Sequence, residues 1–357
     1  MVSVLSASEW SARDDGSQGM KAFVITGPRE WEVKDVDPPV AWPGQVVVEV
    51  ERVGLCGTDV EFFTGEMPYL HDGFARYPMR IGHEWCGTIA AVGDGVDPSW
   101  VGRRTTGDTM LGCGHCRRCR SGFQHVCRDR YEIGIRGGFP GALAEQLALP
   151  VSALHPLPDS VDAIAGAMVE PGGGALRAVR GARLTSGDRL LVIGPGTIGL
   201  LVAQLARATG AEVHVLGVTE RSLAFARTLG FPGVWSADDL PALPWDAVID
   251  ASTSPDAPAL AVDLVEPGKR VVYVGLAGTP SRIDTRTVAL KDVTAVGILS
   301  ASTGLAGTIE QYASGVVDPR PLVAATVGLH RAGAVLGGWR PVGAGDGPKI
   351  HIDPRMR

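Results

Sequence analysis

The chain has no apolar run long enough to cross a bilayer. Its longest apolar stretch, Leu190 to Ala206, is broken by Gly194, Pro195, Gly196 and Gly199 and falls short of the roughly 20 residues a spanning helix needs. It also lacks a basic surplus: 39 Asp and Glu outweigh 33 Lys and Arg, for a formal net charge of −6. That argues against a protein whose main business is gripping phosphate backbones, so no nucleic-acid partner and no membrane partner are expected. The first 19 residues have neither a basic start nor an apolar core, so no secretory signal is expected. They read as a solvated tail, with order beginning near Met20. The expected compartment is a reducing cytosol, in which 6 cysteines serve as metal ligands or core thiols and not as disulfides.

A composition of 45% hydrophobic and 20% charged residues rules out a disordered chain, a coiled coil and a small disulfide scaffold. At about 150 residues per domain, 357 residues predict about two domains. Met20 to Thr26 and Gln45 to Leu55 are rich in β-branched residues and are separated by Pro and Gly clusters, an all-β opening. His71 to Asp159 is irregular and Gly-rich, with short strand candidates at Thr88 to Val92 and Ala142 to Leu149. After Pro158 the texture changes. Apolar runs at Arg189 to Gly194, Glu212 to Gly217, Asp246 to Ala251 and Arg270 to Gly275 read as buried strands. Helical patterns fall at Thr197 to Thr209, closed by Gly210, and Thr219 to Leu229, closed by Gly230. Strands alternating with helices predict a parallel sheet covered on both faces. From about Val296 the pattern is irregular again, which assigns 296–357 to the opening domain. The expected division is a tail at 1–19, a β-rich domain at 20–157, an inserted α/β domain at 158–295 and the return at 296–357.

Gly194, Gly196 and Gly199 form G-x-G-x-x-G after a strand and at the start of a helix. The first Gly permits the tight turn, the second admits a pyrophosphate to the backbone, and the third lets helix and strand pack closely. Thr197 and Ile198 complete this loop. An acidic residue for the ribose 2′-hydroxyl belongs about 20 residues on, but the second strand ends in Gly217. Its small size leaves room for a 2′-phosphate, with Arg221 as the candidate partner and Glu220 as a rival that could bond a ribose hydroxyl. NADP is favoured over NAD on this ground.

Cys113, Cys116, Cys119 and Cys127 make C-x2-C-x2-C-x7-C in a Gly- and Arg-rich loop. Four thiolates on a short loop can close tetrahedrally around a structural Zn²⁺ with no open position. His115 and His125 lie within the loop and read as surface residues. Cys56 opens C-G-T-D just after a strand, G-H-E follows at Gly82, His83 and Glu84, and Glu170 and Pro171 lie much further on. A thiolate, an imidazole and a carboxylate brought together would bind Zn²⁺ and leave a position for substrate. Spacing alone does not set this above a buried Cys with an ordinary loop His and Glu.

In this order and spacing, C-G-T-D, G-H-E, the four-cysteine loop, E-P and G-x-G-x-x-G resemble the zinc-dependent medium-chain dehydrogenases, nearest their polyol and sugar dehydrogenase branch. The resemblance covers Met20 to about Pro354. It implies an α/β chain in which a GroES-like β-rich catalytic domain, made from both chain ends, carries an inserted Rossmann doubly wound parallel sheet. It also implies two Zn²⁺ per chain, catalytic and structural. Cys56 and His83 become catalytic-zinc ligands, with Glu84 and Glu170 as carboxylate ligands or as alternates that exchange with water or substrate. Thr58 matches the hydroxyl that relays the substrate proton, and Asp59 the carboxylate that orients His83. Departures are Glu61, where many family alcohol dehydrogenases have His, and Cys86 near His83, read as a packed thiol. Pro171, Gly172, Gly173 and Gly174 predict a flexible segment that leaves Glu170 less firmly held.

The expected reaction is reversible oxidation of a secondary alcohol, on a polyol, sugar or cyclitol, to a ketone. Tyr69, His71 and Phe74 sit between the ligand segments, where a pocket wall and a plain surface loop are both open readings. The alternatives are a zinc-free reductase of activated double bonds and a non-catalytic NADP-binding protein. The resemblance further implies a homodimer or homotetramer joined partly through the Rossmann sheets.

Overall fold

The computed structural model describes residues 19–356; the tail expected at 1–19 falls, but for Gly19, outside the described residues. The chain divides into two compact units. One takes in the residues up to Glu170 together with Val323–Gly345 and the end of the chain from Lys349, and the other is Pro171–Leu322 with Asp346–Pro348.

In the first unit a seven-stranded sheet runs in the order Val323–Gly328, Lys349–Asp353, Gln45–Gly54, Glu84–Val92, Arg104–Gly107 and Leu154–Pro156, with Gln146–Pro150 also paired to Gln45–Gly54. Its core includes Val46, Val48, Val50, Val53, Trp85, Ile89, Leu147 and Ile352. Burial of Val46, Val48 and Val50 at alternate positions fixes the register, because a one-residue slip would turn the apolar set outward. The register matters for chemistry. Gly54 lies opposite Glu84 on one side and His351 on the other, so three strands from distant parts of the sequence meet at one place.

The second unit contains a six-stranded, all-parallel sheet ordered Gly233–Trp235, Glu212–Leu216, Arg189–Ile193, Trp245–Asp250, Val265–Tyr273 and Thr294–Gly297. Numbered along the chain this is 3-2-1-4-5-6, the doubly wound order of dinucleotide-binding sheets. Helices Thr197–Ala208 and Glu220–Thr228 follow the first two strands, where the sequence pattern puts them. Among the described residues no helix is long and apolar enough to cross a membrane.

The units exchange chain at 170/171 and 322/323, later than the boundaries at 157/158 and 295/296 drawn from sequence texture. Val296 still pairs with Val272 in the parallel sheet, and the helix Leu305–Ala313 belongs to the same unit. The edge strand is short and exposed along most of its length, unlike the buried inner strands that set the texture of this part of the sequence. The glycine run after Glu170 is also corrected: it forms the first turns of a helix, Val169–Ala182. A Cβ at Gly172 would strike the Tyr312 hydroxyl and one at Gly173 would strike Ala301. These glycines permit close packing and do not mark a loose hinge.

Candidate active site and dinucleotide loop

The strand Gln45–Gly54 delivers Cys56 to the start of helix Gly57–Thr64. The Cys56 sulfur accepts from the backbone N–H of Asp59, and the Asp59 carboxylate accepts from the N–H of Cys56 at 3.0 Å. This reciprocal cap fixes both side chains at the helix entrance. His83 closes the loop before strand Glu84–Val92, and its Nε2 lies 3.3 Å from Cys56 Sγ. Its Nδ1 faces Asp59 Oδ1 at 3.7 Å, within ion-pair range but too long for a hydrogen bond. Asp59 is fully buried.

Glu84 opens its strand directly opposite Gly54. A Cβ at Gly54 would collide with the Glu84 carboxylate, so any larger residue here would have to push that carboxylate aside. Cys56, His83 and Glu84 each offer one donor atom, all within 4.8 Å of one another. A tetrahedral ion with metal–sulfur and metal–nitrogen distances of about 2.3 and 2.0 Å would set sulfur and nitrogen about 3.5 Å apart, close to the separation found. The donor set therefore fits Zn²⁺.

Glu170 lies outside this three-residue group but couples electrostatically to His83, Glu84 and Asp108. Burial pushes its carboxyl up to about 7, Glu84 and Asp108 add to the rise, and His83 and Lys349 oppose it. Burial disfavours the His83 imidazolium, yet Cys56, Asp59 and Glu170 hold its pKa well above the ordinary value. Burial raises the Cys56 thiol, Asp59 adds to the effect, and His83 counters it. A bound cation would reverse that balance, since a coordinating thiol is deprotonated.

Lys349 was not picked out from the sequence. Its ammonium donates to Glu84 Oε2 at 2.6 Å and to the Leu55 carbonyl at 2.8 Å. The sequence carries no strong signal for it: Lys349 opens the mixed strand KIHID, 265 positions from Glu84. Thr58 is half-buried near the N-terminus of the Cys56 helix, with Glu61 half-buried one turn on. Burial, and secondarily Glu66, raises the Glu61 carboxyl. Cys86 is fully buried against Gly166. Tyr69 and Phe74 clamp Arg136, whose guanidinium sits 4.0 Å from the Phe74 ring centre, while exposed His71 bonds the Gly65 carbonyl.

In the cysteine loop the sulfurs of Cys113 and Cys119 are 3.9 Å apart, and those of Cys116 and Cys127 3.8 Å. Four sulfurs at about 2.3 Å around one Zn²⁺ would be about 3.8 Å apart, so this cage fits a closed tetrathiolate. Backbone N–H donors lower the Cys113 thiol and bring Cys116 to about 7, while burial pushes Cys119 up to about 12. His115 is exposed. His125 is buried at 4% exposure, which corrects the surface reading: it packs inside the lobe beside Phe123.

In the second unit Gly194 has φ +99°, Gly196 has open space around it, and a Cβ at Gly199 would strike the Gly194 carbonyl. The three glycine roles of a pyrophosphate loop are thus each met. Thr197 and Ile198 form the half-buried first turn. A Cβ at Gly217 would meet Pro195 and Leu223, so an acidic side chain there would have to displace both. Glu220 pairs with Arg227 at 2.7 Å, and exposed Arg221 makes no ion pair among the described residues.

Two family models match the chain, the alcohol dehydrogenase GroES-like domain over residues 42–159 and the zinc-binding dehydrogenase domain over 197–315. An L-threonine 3-dehydrogenase of Idiomarina loihiensis is 32% identical over 74% of this chain and 79% of its own length. A 2-dehydro-3-deoxy-L-galactonate 5-dehydrogenase of Pseudoalteromonas atlantica is also 32% identical, over 82% of this chain and 87% of its own. Among solved structures, a short chain alcohol dehydrogenase from E. coli CFT073 complexed with NADH superposes with a TM-score of 0.86 at 25% identity, covering 94% of this chain and 100% of that one.

Proposed function

The chain belongs to the zinc-dependent medium-chain dehydrogenases, NAD(P)-linked oxidoreductases acting on alcohols, and on that premise we propose that it oxidises a secondary alcohol of the polyol, sugar or cyclitol class to the ketone, with NADP preferred. The observation that carries this reading is the convergence of Cys56, His83 and Glu84 within 4.8 Å. Relatives that act on a β-hydroxy amino acid and on a sugar acid support a polar secondary alcohol as substrate.

When bound, Zn²⁺ is a Lewis acid that acidifies the alcohol, and the nicotinamide accepts the hydride of the carbinol carbon. Cys56 and His83 would hold that zinc, with Glu84 or Glu170 supplying the exchangeable carboxylate. Asp59 orients His83 by keeping Nδ1 as the protonated nitrogen and Nε2 as the donor towards the metal. Thr58 accepts the substrate proton at its hydroxyl and passes it outward. Glu61, three residues on and so on the same helix face, is the acceptor beyond it. Lys349 balances the charge of Glu84.

Cys113, Cys116, Cys119 and Cys127 would hold a structural Zn²⁺. Arg221, unpaired beside the small Gly217, supports recognition of a 2′-phosphate. The exposed edge strand Thr294–Gly297, in a unit that also exposes Leu276 and Leu290 at 71% and 74%, supports edge-to-edge pairing of two copies. A cytosolic location accords with the free cysteines.

The test is absorbance at 340 nm with polyols, sugars, cyclitols and simple secondary alcohols, each with NAD⁺ and NADP⁺, repeated for Cys56→Ser. Turnover lost in the variant is expected. Turnover indifferent to Cys56, or none across the panel, would overturn the proposal.

A further inference from the structure

A cavity of ≈ 740 Å³ opens beside the cysteine loop, lined by Arg117, Arg118, Arg128, Phe123 and Val126, with Asp129 its one acidic side chain. We propose that this groove binds an organic polyphosphate, whose phosphates the three guanidiniums hold and whose ring rests on Phe123.

Four observations carry this. First, none of the three arginines forms an ion pair among the described residues, although Asp129 lines the same groove. Second, the lobe does pair an arginine where it needs one: Arg130 is committed to Glu132 at 2.7 Å, to the Tyr69 hydroxyl and to the Cys127 carbonyl. Three guanidiniums without partners therefore concentrate positive charge locally on a chain whose net charge is −6. Third, the wall is set by backbone hydrogen bonds, with Phe123 N–H donating to the Arg118 carbonyl at 2.8 Å and Val126 N–H to the Phe123 carbonyl at 3.1 Å. Arg118, Phe123 and Val126 are thereby held next to one another. Fourth, Phe123 is 55% exposed, which leaves a ring face free for stacking at the mouth of a cationic groove. Guanidinium forks match phosphate oxygens two at a time, and the volume lies within the range of small-molecule sites.

The test uses the full chain with two zincs confirmed by metal analysis and with saturating NADP⁺, so that the dinucleotide loop is already filled. ATP and inorganic pyrophosphate are titrated calorimetrically at about 0.15 M salt, where only close charge pairs survive screening. ATP is expected to bind at one further site per chain, about tenfold tighter than pyrophosphate. The triple variant Arg117→Ala, Arg118→Ala, Arg128→Ala should lose at least tenfold in affinity for both with zinc retained. Phe123→Ala should weaken ATP alone, and Arg120→Ala, on the same turn but outside the lining, should change neither. If the triple variant loses zinc, Arg128→Lys, which keeps the charge but not the fork, should still weaken both ligands several-fold. No ATP binding, or affinities unmoved in a zinc-replete arginine variant, overturns the site. Equal affinity for ATP and pyrophosphate overturns its organic half.

Discussion

Lys349 and Glu84 form an ion pair at 2.6 Å with side-chain exposures of only 3% and 4%. Burial works against the Lys349 ammonium, but Glu84, Cys56 and Asp59 together raise its pKa. Removing one member of such a pair strands the other charge and costs about 3–5 kcal/mol. Lys349→Met should therefore lower the midpoint of thermal unfolding by several degrees and weaken zinc retention. A variant with unchanged melting and metal content would show that Glu84 does not need its partner.

The two proposed zinc sites separate cleanly by mutation. Cys56→Ser should leave one zinc per chain, reduce kcat by three orders of magnitude or more and barely change melting, because its half-buried sulfur carries little of the core. Cys119→Ser should also leave one zinc but loosen the lobe, detected as faster amide exchange across 113–127, since a closed tetrathiolate contributes folding energy.

Asp59→Asn should test the orientation of His83. The amide keeps the shape but loses the charge that favours Nδ1–H, and such outer partners are worth about 10–100-fold in metal affinity or activity. Competition with a chromogenic chelator reads the affinity directly.

The proposed preference for NADP rests on the end of strand Glu212–Leu216. Arg221→Ala should raise KM for NADP⁺ about tenfold and leave NAD⁺ unchanged, as expected for loss of one charge-assisted pair. Gly217→Asp should fail to produce an NAD⁺ enzyme and should destabilise the fold, because the new Cβ meets Pro195 and Leu223.

Acid sensitivity should come partly from His351. Burial pushes its imidazole down to about 3, and Lys349 and Arg52 press in the same direction. Both ring nitrogens are without hydrogen-bond partners among the described residues. The unfolded chain binds a proton near pH 6.5 that the folded chain refuses until about pH 3. The His351 contribution to stability is thus flat above about 6.5 and falls by up to about 1.4 kcal/mol per pH unit below it. Urea unfolding at pH 7 and pH 5.5 should show the native chain losing more, or gaining less, stability on acidification than His351→Leu, with the difference between the two chains approaching this slope.

The sequence by itself determined the covalent and periodic features. The spacing of Cys113 to Cys127 places four thiols on one short loop, and G-x-G-x-x-G at Gly194 to Gly199 needs only its strand and helix to be recognisable. The parallel strands announce themselves as apolar runs because both their faces are buried. Cys56, His83 and Glu84 were legible as candidates, since C-G-T-D and G-H-E each carry metal-binding chemistry. Only the tertiary structure decided which carboxylate stands with them: Glu84 joins Cys56 and His83 within 4.8 Å, and Glu170 stands outside that group. Strand register made that choice, by setting Gly54 opposite Glu84 and bringing Lys349 across 265 residues to pair with it. The same holds for the boundary near 322 and for the helix through Gly172 to Gly174. A short exposed edge strand and a helix built on close glycine contacts depend on partners distant along the chain, which local sequence texture does not reveal.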